Sequence, residues 1–189
     1  MNNELLVGVS NRHVHLSKEH LSILFGEGYE LEVHRTLRQK GQFACKERVT
    51  LVGKEERSAR VVGPVRQETQ VEIITEDKEP LGIDAPIRLS GNLEGTPGIT
   101  LKGPKGEVIL EHGVIIAAKH VHMCTDELEE FSLHETDHVD LKTGSGKVFE
   151  NVPVRKGEHH MSEFHLDKDE AKRLGLEQGA TITISKRHV

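Results

Sequence analysis

One five-residue pattern occurs twice in this chain, as Arg12-His13-Val14-His15-Leu16 and as Lys119-His120-Val121-His122-Met123. Each copy follows an apolar, strand-like run, residues 4–9 in the first case and 113–118 in the second, and each precedes a short helical pattern. In an extended strand alternate side chains share a face, so the two imidazoles of each copy lie on one side, about 7 Å apart at the Cα. That spacing suits convergence on a single metal ion. Two strand–His-x-His–helix units constrain the fold more than length does, since 189 residues fit either one large domain or two small ones.

Between the copies the chain reads as short strands at 49–52, 58–62, 70–74, 87–89, 99–102 and 107–110. Gly53, Gly63-Pro64, Gly95-Thr96-Pro97-Gly98 and Gly103-Pro104-Lys105-Gly106 punctuate them. Earlier, Ser17 caps a helix that runs through Leu21 to Phe25 and is closed by Gly26 or Gly28, and residues 30–34 alternate as a strand. The run 113–118 is the most apolar in the protein and predicts a fully buried strand. After the second copy, Thr125 caps a helix to Phe131 and strands follow at 139–142, 146–149 and 152–155. His165-Leu166-Asp167 then leads into a helix at 168–174 stopped by Gly175, and a strand at 181–185 comes last. This grammar predicts an all-β fold of two small β-barrels capped by short helices, related by a weak internal repeat, with closure removing the strand edges.

Composition removes several classes of function. A net charge of −6, 3 % aromatic residues and no Trp give neither a basic footprint nor a stacking platform for nucleic acid. No apolar run is long enough to span a bilayer and no signal-peptide core is present. Cys45 and Cys124 therefore read as free thiols in a reducing, cytoplasmic setting.

Thirteen histidines are many for such a chain, and they cluster as His13/His15, His120/His122, His134/His138 and His159/His160/His165. A working zinc site commonly has three protein ligands and one open position, and a His-x-His pair with a distant third donor builds it. The competing reading makes these surface histidines that alternate by chance with Val14 and Val121; the matching flanks of the two pairs argue against it. His165 ends a strand-like segment before a helix, as the pairs do, and is the candidate third ligand of the second site. His134, His138, His159 and His160 read as solvent-facing. In the segment 63–72, Arg66, Glu68, Gln70 and Glu72 fall on one extended face, where an arginine grips an anion and a carboxylate completes a metal site, or where both simply form a solvated ion pair. Cys124 is open between metal ligand, nucleophile and small buried thiol. There is no Gly-x-Ser-x-Gly elbow and no Gly-Lys-Ser/Thr loop.

The segments 8–17 (Gly8-Val9-Ser10-Asn11-Arg12-His13-Val14-His15-Leu16-Ser17), 81–86 (Leu81-Gly82-Ile83-Asp84-Ala85-Pro86) and 90–99 (Ser90-Gly91-Asn92-Leu93-Glu94-Gly95-Thr96-Pro97-Gly98-Ile99), with the second His-x-His, resemble the PduL-type phosphate acyltransferases, the phosphate propanoyltransferases. The resemblance covers nearly the whole chain. It implies zinc-dependent transfer of a short acyl group, propionyl or acetyl, between coenzyme A and inorganic phosphate. It also implies two barrels with the active site between them, here residues 1–11 with 118–189 and residues 12–117, the latter with a small covering loop around 30–45. Carried onto this chain, it makes His13, His15 and Glu72 ligands of one zinc ion and His120, His122 and His165 those of a second. Arg66 becomes the phosphate-binding catalytic arginine, and Ser10 and Gln42 become cofactor-binding positions. Lys40 replaces a proline common in the covering loop, and Lys172 an asparagine common near the last helix. The partners implied are acyl-CoA, coenzyme A and phosphate, with a homo-oligomer left open. The nine residues before Ser10 are short for a microcompartment-targeting segment, which favours a free cytoplasmic enzyme over a microcompartment lumen. A zinc hydrolase of a small ester or amide and a non-catalytic metal-binding protein are the alternatives.

Overall fold

The computed structural model describes residues 3–157 and 161–188, so His159 and His160 lie outside the described residues. In chain order the elements are β1 (Glu4–Ser10), β2 (His13–His15), α1 (Lys18–Phe25), β3 (Val33–Thr36), β4 (Phe43–Val52), β5 (Glu56–Gly63) and β6 (Gln70–Ile73). A 3-10 turn at Thr75–Asp77 runs into α2 (Lys78–Leu81), followed by β7 (Ile87–Arg88), β8 (Thr100–Lys102), β9 (Glu107–Ile109) and β10 (Val114–Ala117). Then come β11 (His120–Met123), α3 (Thr125–Phe131), β12 (His138–Thr143), β13 (Val148–Lys156), β14 (Glu163–Asp167), α4 (Lys168–Leu174) and β15 (Thr181–His188). The fold is all-β with short helices, and no helix among the described residues is long and apolar enough to cross a membrane.

Two compact units share the chain, Met1–Ser10 with Ala118–Val189 and Asn11–Ala117. Among the described residues the first is a closed barrel in the order β1-β14-β11-β13-β12-β15. Its interior holds Leu5, Val7, Val121, Met123, Leu141, Phe164, Leu166 and Ile182, all nearly inaccessible. The second is a nine-stranded curled sheet in the order β7-β10-β6-β2-β5-β4-β8-β9, with β3 on β4. Val14, Leu16, Leu24, Leu51, Val61, Val71, Leu101 and Val114 fill its core.

The alternation of β2 and β11 sets the placement of the histidines. Val14 and Val121 are fully buried in their cores, which turns the flanking histidines to the opposite face of each strand. Burying each valine is worth about 1.5–3 kcal/mol, and a one-residue slip would drive imidazoles into the core instead. The helices after the pairs are capped as short helices must be. Ser17 Oγ accepts from His20 N at 3.2 Å, and Asp167 accepts from Asp169 N and Glu170 N before α4, which ends on Gly175 at φ 68°.

Several local readings shift. Cys124, not Thr125, is the residue that caps α3, with Glu127 accepting its backbone N–H at 3.0 Å; its thiol is half-buried and that of Cys45 fully buried, and neither is in a disulfide. β4 is much longer than 49–52 because Glu47 faces inward, where Tyr29 Oη and Glu32 N donate to it at 2.8 and 3.0 Å, breaking the apolar alternation that marks a strand. The predicted strands at 146–149 and 152–155 are one, β13, carried across Asn151 at φ 54° by a bulge against β12 and a bond from Asn151 N to Asp140. The segment 30–45 contains the hairpin of β3 and β4, its turn closed by Leu37 N on Gln42 O and by Gly41 at φ 79°. α2 was not legible as a helix, being four residues long and holding Pro80.

Candidate metal centres

β2 lies between β6, antiparallel, and β5, parallel. The antiparallel register sets His13 opposite Glu72 and His15 opposite Gln70. Side chains of His13, His15 and Glu72 converge on the face away from the core: His13 Nε2 is 3.2 Å from His15 Nε2 and 3.5 Å from Glu72 Oε2, and His15 Nε2 is 3.9 Å from Glu72 Oε1. The two Nδ1 atoms are engaged elsewhere, donating to Asn11 O at 2.7 Å and Val62 O at 3.0 Å. These carbonyls assign the Nδ1–H tautomer and turn Nε2 inward, as outer partners of metal-bound imidazoles do.

β11 repeats the arrangement. It lies between β14, antiparallel, and β13, parallel, and its register sets His120 opposite His165 and His122 opposite Glu163. His120 Nδ1 donates to Ala118 O at 2.7 Å, again the carbonyl two residues back, while its Nε2 meets His122 Nε2. The His165 ring stacks on that of His122 with centroids 4.6 Å apart. In each trio one donor atom per residue lies within 4.8 Å of the others, and the nitrogen and oxygen donor sets suit zinc.

Each centre is braced in the same way. Arg12, just before His13, donates from Nε to Asp77 Oδ2 at 2.7 Å and from Nη2 to Asp77 Oδ1, and Asp77 also accepts from Ile74 N. Lys119, just before His120, donates to Glu170 Oε1 at 2.7 Å. Asp77 and Glu170 stand equally far past Glu72 and His165, so each brace ties the strand with two donors to the segment following the third.

Arg66 sits beside the first trio in the β5–β6 connection, which Arg66 N anchors on Leu16 O at 2.9 Å. Its Nη1 donates to Ser90 Oγ at 3.2 Å, and Gln70 Nε2 donates to the same oxygen at 2.9 Å and to Glu72 Oε1 at 2.6 Å. Ser90 and Gln70 are members of the site that sequence reasoning missed, although Ser90 opens one of the characteristic segments and Gln70 is the register neighbour of His15. The extended face expected for 63–72 does not form: the chain turns at Gln67 and Glu68, and Glu68 pairs with His112 at the surface. Glu72 is buried rather than part of a solvated ion pair. Ser10 ends β1 opposite Asp167, Gln42 lies in the β3–β4 turn, His134 precedes a turn, and His138 starts β12.

The electrostatics of the first trio are uneven. Burial opposes charge on His13, but the Glu72 carboxylate beside it outweighs this and raises its pKa. Burial, then the charges of His13 and Arg66, push His15 down to about 3. Burial would raise Glu72, yet His13, His15 and Arg66 hold it well below the usual carboxylate range. Without metal the Glu72 carboxylate thus favours a proton on His13 over one on His15. Because the folded pKa of His13 is raised, that ion pair stabilises the metal-free fold fully below about pH 6.5, the unfolded value, and the contribution fades as pH climbs through the folded one. A metal ion bound by this trio would have to displace any proton held on His13. Calorimetric titration of a His122→Ala chain in buffers of differing ionisation enthalpy should show more proton release at low pH than at high pH; equal release throughout would contradict the raised pKa of His13.

A family model described as phosphate propanoyltransferase matches residues 6–177. The chain is 49 % identical over 185 residues to a phosphate propanoyltransferase of Thermotoga maritima, covering 95 % of this chain and 88 % of that protein. It is 43 % identical over 188 residues to a protein of the same name from Rhodopseudomonas palustris, covering 97 % and 83 %, and 40 % identical over 185 residues to one from Listeria monocytogenes, covering 96 % and 87 %.

Proposed function

This chain belongs to the phosphate propanoyltransferase family and is a phosphate acyltransferase, and from that premise we propose that it moves a propionyl or acetyl group between coenzyme A and inorganic phosphate at two zinc ions. His13, His15 and Glu72 hold one ion and His120, His122 and His165 the other. The observation that carries the reading is Arg66, a cation set beside a buried His-His-Glu trio and fastened by Ser90.

In the forward direction a phosphate oxygen attacks the thioester carbonyl carbon, the C–S bond breaks, and coenzyme A leaves as a thiolate that takes up a proton. Zinc, when bound, supplies Lewis acidity to the thioester carbonyl and a soft partner for sulfur. The Arg66 guanidinium binds and orients the phosphate, which converts an encounter in solution into attack from a fixed position. Gln70 holds Ser90 and Glu72 at once, so the anion-binding and metal-binding groups keep a common geometry. Ser10 and Gln42 serve as cofactor-binding positions, and the setting is cytoplasmic.

The test is release of free thiol from propionyl-CoA and acetyl-CoA with and without phosphate, alongside metal analysis. Phosphate-dependent release with about two zinc ions per chain is expected; thiol release that ignores phosphate would instead mark a hydrolase. Arg66→Ala should raise the KM for phosphate about 10- to 100-fold, the worth of roughly 1.5–3 kcal/mol of charge-assisted hydrogen bonding, with zinc content unchanged. Loss of zinc in that variant would move Arg66 from substrate binding to support of the trio.

A further inference from the structure

α1 begins with half of a capping box. Its N-cap, Ser17, accepts from His20 N through Oγ at 3.2 Å, but the third helical position holds His20 itself, not a glutamate or glutamine reaching back to the N-cap N–H. A residue from far along the chain takes that N–H instead. Ser17 N donates to Thr69 Oγ1 at 2.8 Å, and His20 Nδ1 lies 2.8 Å from the same oxygen. Thr69 is 3 % exposed, so its hydroxyl has to find its partners within the protein. It accepts from Ser17 N and gives its one proton to His20 Nδ1, which assigns the Nε2–H tautomer to His20.

Thr69 is the last residue of the β5–β6 connection, and Arg66 stands three residues before it. Arg66 N bonds to Leu16 O and Thr69 Oγ1 to Ser17 N, so the two contacts fall on consecutive residues where β2 gives way to α1. The connection is thus seated on that junction on both sides of the turn at Gln67 and Glu68, once through main chain and once through a side chain. The other unit has a seat of the same kind. Ser162 is the last residue before β14, as Thr69 is before β6, and Glu127 is the third residue of α3, as His20 is of α1. Glu127 accepts from Cys124 N, the N-cap N–H, and from Ser162 N, both at 3.0 Å. A carboxylate bridges two N–H groups in one unit, and a hydroxyl bridges an N–H and an imidazole in the other. Two chemistries at one place in the repeat mark the tie itself as what the architecture requires.

Resting on the reading of Arg66 as the phosphate-binding residue, we propose that Thr69 is a positioning residue for phosphate: its hydroxyl clamps the 64–69 connection to the N-cap of α1 and so fixes where the Arg66 guanidinium stands. Arg66 enters the site from a connection between strands, so its side chain is placed only as firmly as that connection is. A displacement of about 1 Å in a group that orients a reactant is enough to cost up to about 100-fold in rate. Thr69 acts through Arg66 alone, so loss of its hydroxyl is felt by phosphate and not by the acyl donor.

The test is a double-mutant cycle in the full chain loaded with zinc, with kcat, zinc content and the KM values for inorganic phosphate and propionyl-CoA measured for each variant. Thr69→Val keeps the shape of the side chain and removes the hydroxyl. It should raise the KM for phosphate about 10-fold while kcat and the KM for propionyl-CoA stay within about twofold, with zinc content unchanged. Thr69→Ser should restore the wild-type value. In an Arg66→Ala background, Thr69→Val should change kcat/KM for phosphate by less than about twofold. An unchanged KM for phosphate in Thr69→Val, an equal effect with and without Arg66, or a rise that serine does not restore would overturn the proposal while leaving Arg66 as the phosphate-binding residue. A wild-type KM for phosphate in Arg66→Ala would overturn that reading and the proposal with it. Circular dichroism checks the fold, and if Thr69→Val does not fold, His20→Ala, which removes the acceptor of the hydroxyl proton, must show the rise selective for phosphate or the proposal fails.

Discussion

Replacing His120 by alanine should empty the second centre of metal, leave the first loaded, and lower acyl transfer about a thousandfold. The size follows from what one preorganised electrophile contributes: several kcal/mol of charge stabilisation in a group-transfer step. His120 is held for this role, its Nε2 set against His122 and its Nδ1 fixed on Ala118 O. The barrel should survive, because the side chain lies on the face away from the core that Val121 fills. The measurement is zinc content by mass spectrometry together with kcat. Wild-type kcat with one ion per chain would mean that the second trio takes no part in catalysis.

Asp77→Ala is expected to have the largest effect on stability, about 3 kcal/mol, because it strands a guanidinium whose partner is 2 % exposed and removes the acceptor of Ile74 N. For a chain of this size that is a fall in Tm of about 6–12 °C. The equivalent change on the other side, Glu170→Ala, should cost less than about 1 kcal/mol, since Lys119 and Glu170 are 37 % and 18 % exposed and the pair is screened by water. Thermal unfolding of the two metal-free variants checks the contrast, and equal losses would refute it. The same architectural brace is thus a buried strut on one side and a surface contact on the other.

The trios were legible in the sequence to different degrees. The His-x-His pairs could be read because strand alternation alone puts both rings on one face, and the apolar Val14 and Val121 say which face is buried. His165 could be chosen because it ends a strand before a helix, as the pairs do. Glu72 was one of two acidic residues in a stretch that looked uniformly extended, and only the turn at Gln67 and Glu68, which carries Glu68 off to His112, separates the two. Ser90 and Gln70 were not legible as site residues, since Gln70 enters through the register of β6 on β2 and Ser90 from the turn after β7, and contacts between segments distant in the chain leave no local signal. The long β4 and continuous β13 were missed for a related reason: Glu47 and Asn151 break the local pattern and are satisfied by tertiary contacts. The braces of Arg12 and Lys119 were visible only as basic residues before each pair.

β1 pairs along one side with β14 and along the other with β15. During synthesis, therefore, β1 is made long before the strands that complete its barrel. Residues 11–117 have all their sheet partners within that span and can assemble while the remainder is still being made, whereas Glu4–Ser10 must wait for Thr181–His188 before its second edge is covered. Contacts of that sequence separation are slow to form. The nascent chain accordingly carries an unclosed strand edge until β15 has been made, and arrival of that strand, rather than of the histidines, is the event that lets the barrel shut.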